Sequence, residues 1–162
     1  MNHKFQLILT GGTIDSYYDT ERCTPIPHQH SVIADHLKDV AGMQAEQFDV
    51  TTVCMKDSRE IEDKDIDQVV AAIEQSPLNR HVITHGSFTL FTSARYLQSR
   101  LQAEHQQVIV FTGAMIPLAG FSPNDASFNL GSAITAAQCL EPGVYIAFHG
   151  KIYRPEDMEN LH

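Results

Sequence analysis

Short β-branched runs alternate with helix-period segments along this chain, and that alternation constrains its fold more than any other feature. Residues 5–9 (FQLIL), 48–54 (FDVTTVC), 81–84 (HVIT), 107–112 (QVIVFT) and 144–148 (VYIAF) read as strands. Between them, residues 31–40 put Val32, Ile33, His36, Leu37 and Val40 on one helical face. Residues 63–75 do the same with Ile66, Val69, Val70 and Ile73, and helical segments follow at 92–102 and 125–139. Such alternation builds right-handed βαβ units and a parallel sheet. Strands this continuously apolar suit a sheet covered on both faces. The expected fold is a doubly wound, flavodoxin-like (Rossmann-like) three-layer α/β/α domain. Its ligand site is expected outside the carboxyl ends of the strands, at a switch point in strand order.

At 162 residues and 43% apolar, the chain can bury a core without staples. Residues 1–162 read as one domain, with a polar tail over about 155–162 where a second domain could begin. Twenty acids against 11 bases give a net charge of −9. That balance argues against nucleic-acid binding and against anionic membranes as partners. The first apolar run stops at Gly11, too soon for a secretory signal, and no stretch reaches membrane-spanning length. The cytoplasm is the expected location. The cysteines are Cys23, Cys54 and Cys139, an odd and scattered set that makes a poor disulfide framework. Cys54 and Cys139 have apolar sequence neighbours and are expected to be buried thiols; Cys23 lies in a polar loop.

The strand ends carry the chemistry. They read TGGTIDS, MKDSREI, THGSFTL, TGAMIPLAGFSPNDASFNL and HGKIYRP. TGGT lacks the Gly-Lys-Ser/Thr ending of a phosphate loop and the third glycine of a dinucleotide fingerprint. Only Lys56, Arg59 and Lys151 supply positive charge there. Nine histidines include His28 and His30 two apart, with His85 and His149 each after a strand, but none has metal-ligand spacing. Neither a metal nor a cofactor is expected. Two hydroxyls remain. Thr13 follows a glycine turn whose backbone can approach a carbonyl and stabilise an oxyanion, and Ser87 follows a third glycine. On chemistry alone Thr13 is equally a turn or cap residue. Asp57 and Asp125 suit helix caps, and Asp15 suits either a turn or an acid beside Thr13.

Four blocks, LTGGTI, KDSREI, THGSFT and TGAM followed by DASFNL and AITAA, occur in this order. Together they resemble the bacterial-type L-asparaginase/glutaminase family from residue 4 to about residue 154. The resemblance implies a flavodoxin-like amino-terminal domain. It implies that Thr13, after Gly12, attacks a side-chain amide, and that Ser87, after Gly86, supplies a second hydroxyl. Ser58, between Asp57 and Arg59, matches the serine that holds the substrate α-carboxylate. Ala114 lies by the amide pocket. Tyr18 is the candidate for the family's loop tyrosine, with Tyr17 beside it left open.

The chain also departs from that pattern. Phe88 stands where the family has the aspartate that binds the α-ammonium. No lysine lies near Leu140, where the family has its proton-transfer partner, and Ile116 replaces an arginine. The family's second domain has no counterpart within these residues. The expectation is therefore an asparaginase-like amidohydrolase acting on an amide other than free asparagine and releasing ammonia. The alternative is a non-catalytic module that binds an amino-acid-like ligand. The resemblance further implies a homo-oligomer, a dimer or tetramer, with residues 121–137 (FSPNDASFNLGSAITAA) as a candidate contact.

Overall fold

The structure is a computed structural model and describes residues 4–159 and 161. The five expected strands form: β1 (Phe5–Gly11), β4 (Phe48–Lys56), β5 (Arg80–Thr84), β6 (Val108–Thr112) and β7 (Gly143–Phe148). They pair in parallel in the order β4-β1-β5-β6-β7. A short strand, β8 (Lys151–Tyr153), turns back to pair antiparallel with β7. The order steps outward from β1 in both directions, which is the flavodoxin-like pattern with its switch point between β1 and β5.

Side chains alternate between the two faces, as strand geometry requires. Leu7, Leu9, Val82, Val110, Tyr145 and Ala147 face one helical layer, with Ile33 and Leu37 of α1 (Ile33–Asp39) and the alanines of α4 (Ala126–Cys139). Ile8, Ile83, Ile109, Phe111 and Ile146 face the other, with Ile66, Val69 and Ile73 of α2 (Asp63–Gln75) and Phe91, Ala94 and Leu97 of α3 (Leu90–Arg100). Each fully buried aliphatic or aromatic side chain in these layers contributes about 1.5–3 kcal/mol of transfer free energy. The helix α2 starts at a reciprocal capping box between Glu62 and Asp65. By contrast α4 carries no charged side chain along its whole length.

Several local expectations change. Residues 16–27 are not a plain loop: β2 (Ser16–Asp19) and β3 (Thr24–Pro27) form an antiparallel hairpin. Val40 lies off the buried face of α1 and is 72% exposed. Cys139 is exposed and Cys54 half-buried, so neither is the core thiol expected; all three cysteines are free. The uncharged sequence around Cys139 belongs to a helix with one face on the sheet and one facing solvent. No described helix is long and apolar enough to cross a membrane.

Candidate active site

The carboxyl ends of β4, β1, β5 and β6 meet in a seam where backbone packs on backbone. Gly12 has φ +80°. A Cβ there would lie 2.3 Å from the Gly86 nitrogen. A Cβ on Gly86 would in turn lie 2.5 Å from Ser58 Cβ, and one on Gly113 would lie 2.5 Å from the His85 carbonyl oxygen. No side chain fits at these three positions, so the glycines let four strand ends close on one another. The β1 and β5 ends in this contact flank the switch point.

Hydrogen bonds fix the arrangement. The Gly12 N–H donates to the Lys56 carbonyl at 2.8 Å, and the Gly12 carbonyl accepts from the Ser16 hydroxyl at 2.8 Å. Thr10 Oγ1 donates to the Thr84 carbonyl, and the His85 N–H donates to the Thr112 carbonyl, both at 2.8 Å. The Thr89 hydroxyl reaches the Ser58 carbonyl at 2.9 Å. Beneath the β4 end, Lys56 Nζ meets both carboxylate oxygens of Asp65 at 2.8 Å.

Around this seam the structure gathers most of the candidate residues. Thr13 opens a 3-10 turn (Thr13–Asp15) directly after Gly12 and is half-buried. Ser87 follows Gly86 in a bend ahead of α3 and is nearly buried. Ser58 is buried against Gly86, and Ala114 is fully buried in the core behind it. Asp57 caps the 3-10 turn Ser58–Glu60, accepting from the Arg59 N–H at 2.9 Å. Its carboxylate also accepts from Arg59 Nε at 2.9 Å and Nη2 at 3.2 Å, a forked ion pair. The Arg59 guanidinium, first by its hydrogen bonds, holds the Asp57 carboxyl below its ordinary range. Arg59 thus belongs to a surface pair with Asp57 at the outer edge of the seam.

Two further candidates are exposed. Phe88 is 57% exposed and is not packed into the start of a helix as a core aromatic would be. Tyr18 sits on β2 and is exposed; its ring lies edge-on to Phe121 at 6.3 Å, whereas Tyr17 lies against His28 at 5.4 Å. Adjacent strand residues face opposite ways, so the two phenols lie on opposite faces of the hairpin.

Sequence reasoning missed three features. His85 is fully buried behind Gly86. Its Nδ1 lies 2.8 Å from the Gly86 carbonyl, which can only accept, so Nδ1 carries the proton and Nε2 is left buried without a partner. Burial pushes the imidazole down to about 4, so it stays neutral. Asp15, offered as a substitute acid, is fully buried; it accepts from the Val32 N–H at 3.0 Å, and burial raises its carboxyl. Asp125 does not cap α4 with its side chain. It accepts instead from the Met115 and Ile116 N–H groups at 2.9 Å, from Asn129 Nδ2 at 3.1 Å and from His149 Nε2 at 3.0 Å. Burial opposes the charge, but these donors hold the carboxyl below its usual range. A strand-end histidine and an acid before a helix were the available signals; their pairing over 24 residues was not.

The sequence matches the family described as Asparaginase, N-terminal, over residues 4–162. The chain belongs to the asparaginase family, through its amino-terminal domain. An L-asparaginase of Thermococcus kodakarensis is 29% identical to it over 165 aligned residues, covering 98% of this chain and 48% of that protein. The solved structure of the thermostable L-asparaginase from the same organism superposes with a TM-score of 0.77 at 29% identity, over 94% of this chain and 46% of the other. This asparaginase domain therefore spans about half the length of the relatives it matches. Among its described residues no group of three or more His, Cys, Asp and Glu is placed to hold a metal ion.

Proposed function

We propose that this asparaginase domain is a threonine-nucleophile amidohydrolase that releases ammonia from a side-chain-type amide. The observation that carries the reading is the glycine seam. It sets Thr13 and Ser87, each next in chain to a contacting glycine, beside the buried Ser58 at the fold's switch point. In this reading the Thr13 hydroxyl oxygen bonds to the amide carbon. The C–N bond breaks, and ammonia leaves with the hydroxyl proton. Water then cleaves the ester, releasing a carboxylate and restoring the threonine. Ser87 relays or orients the proton, Ser58 holds a carboxylate or carbonyl of the substrate, Tyr18 supplies a phenol from the hairpin, and backbone N–H groups of the seam stabilise the oxyanion.

Phe88 and the missing lysine set the substrate apart from free L-asparagine. An exposed phenyl ring offers an α-ammonium no charge and no acceptor. The amide proposed is one whose α-amine is blocked or absent. The domain is placed in the cytoplasm, where its three free thiols stay reduced. It is proposed to assemble as a homo-oligomer through the uncharged outer face of α4, where Phe128 is 61% exposed, because two copies at −9 each associate best through a face without acids.

A second reading has its own support. His85, the titratable ring closest in chain to Ser87, is committed to the Gly86 carbonyl, and Asp15 to Val32. A seam whose nearest imidazole is buried and kept neutral suits a binding module that holds an amide without turning it over. Ammonia release from asparagine, glutamine and N-acetyl-asparagine, with Thr13→Ala beside the wild type, separates the two. Release that Thr13→Ala lowers by about a thousandfold or more supports the hydrolase; no release with retained ligand binding supports the module.

A further inference from the structure

A cleft lies at the outer edge of the site, between the hairpin and the turn that follows β4. Arg22, Thr24, Pro25, Ile26 and Pro27 line one side; Asp57, Arg59 and Glu60 line the other. Its volume of about 380 Å³ is within the roughly 300–1,000 Å³ range of sites that take ligands much larger than one amide group. Two carboxylates near the seam are held by donors of this chain: Asp57 by the Arg59 fork and Asp125 by four donors. The donors that remain are guanidinium groups. Arg59 uses Nε and Nη2 on Asp57, leaving Nη1 free to donate. The Arg22 guanidinium lies 3.5 Å from the Asp19 carboxylate and is 70% exposed. Pro25 and Pro27 have no N–H, so the facing strand offers smooth apolar contact in place of a hydrogen-bonded ladder.

We infer that the amide acted on belongs to an asparagine or glutamine residue within a peptide, whose backbone runs along this cleft. Its carbonyls accept from Arg59 and Arg22, and its neighbouring side chains lie against Pro25, Ile26 and Pro27. The blocked α-amine that Phe88 tolerates is then a peptide nitrogen. This rests on the amidohydrolase reading for the chemistry but not for the binding.

The test is calorimetric titration of the Thr13→Ala protein, which cannot turn ligand over in this reading. The probes are acetyl-Ala-Ala-Asn-Ala-Ala-amide and the single capped residue, N-acetyl-asparagine N′-methylamide. The peptide is expected to bind about tenfold or more tightly than the capped residue. Adding Thr24→Trp, which fills the cleft from β3, is expected to remove that advantage, and Arg22→Ala to reduce it about fivefold; a thermal melt checks that each variant folds. A peptide that binds no tighter than the capped residue, or an advantage that survives both variants, overturns the inference. Ammonia release from the capped residue by the wild type is scored separately. Release without a peptide preference removes this inference and leaves the hydrolase reading standing. A peptide preference without release does the reverse.

Discussion

Two places on the carboxyl edge of the sheet look alike in sequence and are built in opposite ways. At β1 and β5 the chain puts glycines together, so that backbone meets backbone, with Thr13 half-buried and Ser87 nearly buried directly after them. At β6 and β7 it puts a carboxylate in the middle, and Asp125 collects donors from the 115–116 turn, from Asn129 and from His149. Asn129, fully buried, completes that cluster by donating to the Gly113 carbonyl and accepting from the His149 N–H. In the proposed reading the first place leaves hydroxyls for a ligand. The second uses its polar groups on itself, and it reads as a clasp between α4 and two loops. An Asp–His pair is therefore a weaker sign of chemistry here than a threonine after two glycines.

Substitutions can break that contrast. The largest effect is expected from Gly12→Ala. A methyl group at φ +80° and 2.3 Å from the Gly86 nitrogen has nowhere to move, because both neighbours are backbone. A loss of about 4 kcal/mol or more in urea unfolding is expected, against about 1 kcal/mol for an ordinary glycine-to-alanine strain. A loss near 1 kcal/mol would mean that the seam yields. Asp125→Ala comes next. Removing the carboxylate that accepts from four donors of the clasp should cost about 2–3 kcal/mol in the same assay.

Acid should act mainly through two buried histidines, His85 in the seam and His81 near the amino end of β5. His81 and His85 are fully buried, and burial holds each at about 4, below the ordinary 6.5. Their folded values are lowered, so the unfolded chain binds protons first. Stability is complete above about 6.5 and is lost as pH falls toward 4. Asp57 and Asp125, held low, lose stability in the same direction, whereas Asp15, raised by burial, opposes it. The two rings together are expected to lose about 4 kcal/mol between pH 7.5 and pH 5, less whatever Asp15 returns, as read by urea titration. A flat profile would show that neither histidine is buried as a neutral ring. His149→Ala is expected to be the smallest change. The ring is 55% exposed, and its loss leaves Asp125 three other bonds, so less than about 1 kcal/mol should go.

The five parallel strands and four helices were legible because each strand is an apolar run and each helix repeats with the right period. The hairpin was not. Its strands read SYYD and TPIP, polar and proline-bearing, and nothing in such a pattern alternates strongly. The strand β8 is too short to leave a signal. Cys139 was misplaced for a different reason: α4 lacks charge on both faces, so sequence could not tell its buried side from its exposed one. At the site, the glycine-hydroxyl blocks around Thr13, Ser58 and Ser87 were readable as local words. The work of Arg59 and Asp125 was not, because one pairs with a neighbour where a ligand was conceivable and the other pairs across 24 residues.

The central claim is that Thr13 forms a bond to substrate, and intact-mass spectrometry after acid quench tests it most directly. The protein would be mixed with excess N-acetyl-asparagine, quenched within seconds and digested for peptide mapping. The account predicts an acyl adduct on the peptide carrying Thr13, absent from Thr13→Ala. Ammonia release with the adduct on Ser87, or with no adduct at any quench time, would contradict it.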